Sequence, residues 1–67
     1  MKNGDKVKAI LEWQHSDMHH LTCSNCKKDL YPMINDNLEI ILACDCDYTQ
    51  EYIPEVIYKR YKMMREN

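Results

Sequence analysis

The chain has 67 residues, of which 45% are hydrophobic, and a formal net charge of −2. At this length we expect one domain, which buries too small a fraction of its surface to be stable without a metal ion or disulfides. No apolar run approaches the roughly 20 residues that a membrane-spanning helix needs, so the sequence excludes a helical membrane protein.

The N-terminal residues give no sign of secretion. Residues 1–6 lack the apolar core of a secretory signal, so we expect a soluble protein of the cytoplasm, where thiols stay reduced. Four cysteines in such a chain favour a metal site over two disulfides.

The segment of about residues 5–18 is predicted to form an N-terminal amphipathic helix. The apolar residues that fall near a helical period are Val7, Ile10, Leu11 and Met18. Asp5 is the predicted N-cap, because an aspartate carboxylate accepts hydrogen bonds from the first free N–H groups of a helix.

The segment of about residues 21–53 is predicted to form a ribbon with three antiparallel strands. The segments rich in β-branched, aromatic and other apolar residues are 30–34, 38–43 and 47–53. The Asn35-Asp36-Asn37 cluster between the first two segments is typical of a turn. Because Pro32 has no backbone N–H, we expect the first strand to lie at an edge of the sheet.

The segment of about residues 54–65 is predicted to form a C-terminal helix. Pro54 suits the first helical position, and Glu55 suits the positive end of the helix dipole. The predicted buried stripe contains Ile57, Tyr61 and Met64. The predicted fold class is therefore α+β: a small zinc ribbon flanked by two helices, in a single domain over 1–67.

The two cysteine pairs carry the predicted metal site. Cys23 and Cys26 have the two-residue spacing of a zinc knuckle, and Cys44 and Cys46 follow after a gap of 17 residues that a β-hairpin can fill. We predict that these four cysteines bind one structural Zn²⁺ ion. Closed coordination by four thiolates leaves no open position for a catalytic water.

The second pair has only one intervening residue, which leaves an alternative open. A histidine can replace one of these cysteines as a ligand, and His19 and His20 lie just before Cys23. His15 and His19, four residues apart, also raise the question of a separate histidine site. Solvated surface histidines are the commoner outcome for such a pattern.

Four segments of the chain resemble small zinc-ribbon proteins that bacteriophages and related mobile elements encode. The segments that carry the resemblance are 20–26, 30–32, 42–50 and 53–54. The chain differs from that pattern in lacking a proline before Leu21 and in its shorter second pair. The resemblance implies a zinc-ribbon fold and a viral setting, in which the protein would act in the host cytoplasm.

The charge pattern favours a protein partner over nucleic acid. Residues 29–58 carry seven acids and no Lys or Arg, and such a surface steers towards a basic partner. We predict a basic protein partner, such as RNA polymerase or another nucleic-acid enzyme of host or virus, whose activity the chain would modulate. The predicted partner-binding residues are Asp36, Glu39, Asp45, Asp47 and Glu51.

Nucleic-acid binding by the C-terminal helix is the alternative function. Its residues would be Tyr58, Lys59, Lys62 and Arg65, which combine an aromatic ring with basic charge. An acidic body opposes such binding, because it repels the phosphate backbone. We predict no enzymatic activity, because the sequence offers no nucleophile paired with a base and no open metal position.

Overall fold

The computed structural model describes residues 2–65, so residues 1, 66 and 67 of the predicted domain lie outside the part described. The elements in chain order are helix α1, strands β1 to β3 and helix α2. Their bounds are Asn3–Gln14, Tyr31–Ile34, Ile40–Ala43, Thr49–Gln50 and Glu55–Arg65. The predicted α+β class, in which one helix precedes and one helix follows a three-stranded antiparallel sheet along the chain, is confirmed.

Helix α1 begins two residues before the predicted start and ends four residues before the predicted end. The N-cap is Lys2, and Asp5 lies inside the first turn, where its carboxylate still favours the helix dipole. The helix ends early because both the N–H and the Oγ of Ser16 bind the carbonyl of Trp13, at 3.2 and 2.6 Å. Such side-chain bonds compete with continued helix. Met18 therefore lies outside the helix and is 45% exposed.

Strand β2 is the centre of the sheet, with β1 and β3 antiparallel on either side. Pro32 lies opposite Leu42 on the edge strand β1, as predicted. The Asn35 N–H binds the Glu39 carbonyl at 3.0 Å. Because hydrogen-bonded pairs alternate along an antiparallel ladder, the Pro32 nitrogen faces away from β2. The proline thus removes no hydrogen bond between β1 and β2. At its position, the outer edge of β1 has no N–H that could pair with a further strand.

Strand β3 is much shorter than the predicted segment 47–53. Only Thr49 and Gln50 pair with β2. Asp47 has a positive φ and belongs to the preceding turn, and Ile53 precedes Pro54, where the chain leaves the sheet to begin α2. The Pro54 carbonyl accepts the N–H of Ile57 at 3.2 Å, which places this proline just before the helix.

The core lies between one face of the sheet and helix α1, and α2 packs on α1, so the buried residues of α2 join the same cluster. Ile10, Leu42 and Ile57 are at most 1% exposed. Tyr61 continues the buried stripe of α2, whereas Met64, predicted to belong to that stripe, is 54% exposed. No helix within residues 2–65 is long and apolar enough to cross a membrane.

The β1–β2 loop is closed by Asn35. Its Oδ1 accepts the N–H groups of Asn37 and Glu39, both at 2.9 Å. The turn thus forms where the Asn-Asp-Asn cluster predicts it, but the left-handed residue is Leu38, with φ of 62°. A branched side chain in this conformation costs about 1 kcal/mol or more.

We expect Leu38→Gly to raise the free energy of unfolding by about 0.5 to 1 kcal/mol, because glycine adopts a positive φ without strain. Leu38 is 73% exposed, so the substitution removes little packing. Urea denaturation of the metal-loaded protein measures the change. The matched control is Leu11→Gly in α1, which is expected to lower stability by about 1 kcal/mol. A loss at position 38 equal to that at position 11 would contradict the assigned backbone conformation.

Candidate metal centre

Two short turns bring the four cysteines together at one end of the sheet. The first turn, which we call knuckle 1, spans residues 23–28 and lies between Thr22 and Asp29, which form a β-bridge. The second, knuckle 2, spans residues 44–48 and connects β2 to β3. Each knuckle is therefore closed at its base by antiparallel pairing, through a single bridge in knuckle 1 and through β2 and β3 in knuckle 2.

The two knuckles close in the same way although they differ by one residue in length. In knuckle 1 the Cys23 N–H donates to the Lys28 carbonyl at 2.9 Å, and the Lys27 N–H donates to the Cys23 carbonyl at 3.0 Å. In knuckle 2 the Cys44 N–H donates to the Tyr48 carbonyl at 2.9 Å, and the Asp47 N–H donates to the Cys44 carbonyl at 3.1 Å.

Both knuckles also have a left-handed residue directly after their second cysteine. The φ angles are 61° at Lys27 and 71° at Asp47. The two turns therefore reverse the chain in the same way, and knuckle 2 presents both sulfurs although it has one intervening residue fewer. The one-residue spacing is thus compatible with a set of four cysteine ligands.

The four sulfur atoms all lie within 4.8 Å of one another. Two of the separations that cross between the knuckles are 3.4 Å, from Cys23 Sγ to Cys46 Sγ, and 3.0 Å, from Cys26 Sγ to Cys44 Sγ. A tetrahedral ion with metal–sulfur bonds of about 2.3 Å requires neighbouring sulfurs about 3.8 Å apart. All four cysteines are free thiols. The arrangement can therefore hold one metal ion with small movements of the side chains.

Local hydrogen bonds favour a thiolate at Cys23 although the side chain is buried. Cys23 and Cys44 are 1% and 4% exposed, whereas Cys26 and Cys46 are exposed to solvent. Burial opposes ionisation of Cys23, but the backbone N–H groups of Cys26 and Asn25 and the neighbouring thiols outweigh it and lower the pKa to about 6. The Cys26 thiol raises the pKa of Cys44, and so does burial. Proximity alone thus does not ionise all four thiols, as binding to a metal would.

The histidines lie apart from the sulfur cluster. Both ring nitrogens of His20 have other partners, because Nδ1 is 3.0 Å from Asp29 Oδ2 and Nε2 is 3.0 Å from the Ser16 carbonyl. These contacts, the carbonyl first, raise the pKa of His20. His15 and His19 do not share a helix face, because α1 ends at Gln14. Within residues 2–65, the four cysteines form the only group with metal-binding geometry.

Gln14 is a supporting residue that the sequence analysis missed. Its side chain is 8% exposed and donates from Nε2 to the carbonyls of Leu21 and Leu30, at 2.8 and 2.9 Å. Its Oε1 accepts the Leu21 N–H at 2.8 Å. Leu21 and Leu30 flank knuckle 1, so Gln14 fastens the end of α1 to the base of the metal centre. Its position four residues after Ile10, on the buried helix face, is the signal that would have revealed it.

The five acidic residues predicted to bind a partner are all exposed. They do not form one compact patch. Asp36 and Glu39 lie in the β1–β2 loop, Asp45 and Asp47 lie in knuckle 2 at the other end of β2, and Glu51 follows β3. The carboxylates therefore border the sheet along its length.

The predicted nucleic-acid face of α2 is partly occupied by contacts within the protein. Tyr58 is half-buried against the core, and burial raises its pKa. The Arg65 guanidinium lies 3.0 Å from Glu12 Oε1 and 4.5 Å from the ring centre of Tyr61. Lys59 and Lys62 are exposed. Two of the four predicted residues, Tyr58 and Arg65, thus have partners within the protein.

Comparisons with protein-family models, with curated proteins and with solved structures found no match to this chain. The resemblance to zinc ribbons of bacteriophages therefore stays a prediction from the quoted segments.

Proposed function

We propose that this chain is a small zinc-binding interaction module that docks on a basic protein partner. The observation that carries the proposal is the convergence of four thiols from two separate knuckles. The partner that we propose is a host or viral enzyme that handles nucleic acid, such as RNA polymerase. The phage-like segments support a viral setting.

Zinc is the metal that we propose for this site. Four thiolates in a tetrahedron suit zinc or iron among the common biological metals. Zinc has no redox chemistry and no preferred geometry beyond that of its ligands, which suits a purely structural centre. With four protein ligands the coordination is closed, so the metal would stabilise the ribbon by joining the two knuckles.

The docking part of the proposal is supported by the charge and exposure of the acidic residues. Within residues 2–65, no ion pair involves any of the five bordering carboxylates. These carboxylates are therefore available to a partner, and their field would speed encounter with a basic surface. The same field disfavours direct contact with a nucleic-acid backbone.

Affinity capture with the zinc-loaded full chain tests the docking. The test variant neutralises the five carboxylates as D36N, E39Q, D45N, D47N and E51Q, and the control neutralises two exposed acids elsewhere, as D17N and E55Q. We expect one partner to be captured by the wild type and the control at low salt, and to be lost with the five-site variant. Equal capture by all three proteins would contradict acidic docking.

A further inference from the structure

The sheet has a second face that the helices do not cover. Partner residues across an antiparallel ladder share a face, and the face opposite the core contains Tyr31, Met33, Ile41, Ala43 and Thr49. We call these five residues the outer face. Leu42 and Ile40 point the other way, into the cluster that contains the buried residues of both helices.

The outer face is apolar and partly exposed. Tyr31 is 40% exposed and Met33 48%. Ile41 and Ala43 are buried, yet neither belongs to the cluster between sheet and helices. Within residues 2–65, the helix that contacts the strands is α1, and α2 packs on α1. The buried residues of both helices cluster with Ile40 and Leu42 on the opposite face and not with Ile41 and Ala43.

Carboxylates border the outer face at both ends. Asp36 and Glu39 lie at the loop end of β2, and Asp45 and Asp47 lie at the metal end. No Lys or Arg occurs anywhere from residue 29 to residue 58. An apolar centre with an acidic border is complementary to a partner with an apolar centre and a basic border.

We propose that the outer face is the docking site for an amphipathic, Lys- and Arg-rich segment of a protein partner. This inference rests on the proposed function and specifies its surface and its partner chemistry. The apolar stripe of the segment would cover Tyr31 and Met33, and its basic side chains would meet the carboxylates at the two ends. Docking takes place on the face and not on the β1 edge, because Pro32 offers no N–H to an added strand.

A synthetic peptide provides the probe. It has about 18 residues, with Leu at helical spacing and Lys at the other positions. One control peptide replaces Leu by Ser, and a second replaces Lys by Glu. Titration into the zinc-loaded, ¹⁵N-labelled full chain is expected to shift the amide signals of the outer face. We expect the Leu–Lys peptide to bind about tenfold more tightly than the Ser–Lys peptide, and the Leu–Glu peptide not to bind.

Two matched variants locate the binding on the protein. Met33→Lys places a charge on the outer face, and Met63→Lys makes the same change on the outward side of α2, where Met63 is 69% exposed. Both side chains are exposed, so we expect both variants to fold, as their thermal transitions would confirm. Met33→Lys is expected to weaken binding of the Leu–Lys peptide about tenfold, and Met63→Lys less than about twofold.

Several results would overturn the inference, and they separate it from the proposed function. Equal binding of the Ser–Lys peptide would show that the apolar face does not contribute to binding, and docking through the acidic residues would still stand. Equal binding of the Leu–Glu peptide would overturn the basic partner in both proposals. Absence of saturable binding of the Leu–Lys peptide, or an equal effect of both variants, would remove the outer face as the site. A dimer of the protein alone that Met33→Lys abolishes would make a second copy the occupant.

Discussion

Removal of the metal from the folded protein with a strong chelator is expected to unfold the chain. A domain of this size has a net stability of roughly 3 to 10 kcal/mol, from typical values per residue. A structural zinc site contributes about 10 to 16 kcal/mol of apparent binding energy at neutral pH. The binding free energy that is lost with the metal therefore exceeds the net stability of the domain. Far-ultraviolet circular dichroism and amide NMR dispersion measure the loss of structure.

The chelator experiment needs a control for the metal itself. Zinc added in excess over the chelator is expected to restore the spectrum, and magnesium is not, because thiolates bind it weakly. Cys44→Ser should behave as the chelated protein does, since Cys44 is buried in the cluster and serine is a poor zinc ligand. A metal-free protein with an unchanged spectrum and an unchanged cooperative thermal transition would refute the structural role of the metal.

Gln14→Leu is expected to lower the free energy of unfolding by about 3 kcal/mol, the second largest effect that we predict. Leucine fills a similar volume but leaves two carbonyls and one N–H without their partners from Gln14. Each buried polar group left unsatisfied costs about 1 to 3 kcal/mol. One of these three groups keeps a partner in the variant, because the Leu21 carbonyl also accepts the Leu30 N–H at 2.8 Å. Urea denaturation at a fixed free zinc concentration measures the change.

Gln50→Leu is the matched control for Gln14→Leu. Gln50 is half-buried, and its side chain binds the Tyr48 hydroxyl and the Tyr52 carbonyl at 3.1 and 2.7 Å. These groups can turn to water, so we expect a loss of about 1 kcal/mol or less. Equal losses of stability at positions 14 and 50 would show that the buried hydrogen bonds of Gln14 contribute no more than those of an ordinary half-buried glutamine.

The sequence predicts the elements and the cysteine cluster because strong local signals specify them. The Asn35 cluster has the side chains that form a turn, and Pro32 is restricted to an edge strand wherever it occurs in a sheet. The pair that begins at Cys23 has the spacing that short turns impose on metal ligands, and the second pair follows at a distance that a hairpin can fill. These features depend on a few neighbouring residues, so periodicity and spacing reveal them.

Other features depend on contacts that the sequence does not display. The end of α1 is decided by competition between Ser16 and continued helix for the Trp13 carbonyl. The shared closure of the two knuckles depends on left-handed conformations at Lys27 and Asp47, where glycine would have been the expected signal. The uncovered outer face follows from the packing of α1 on the other side of the sheet and of α2 on α1. No residue pattern in β1 or β2 specifies that side.

X-ray absorption at the zinc edge, on protein purified under reducing conditions, would show whether one zinc ion bound by Cys23, Cys26, Cys44 and Cys46 joins the two knuckles. We expect one zinc per chain with four sulfur ligands at about 2.3 Å. A nitrogen or oxygen ligand in the first shell, iron in place of zinc, or a folded chain without metal would contradict it.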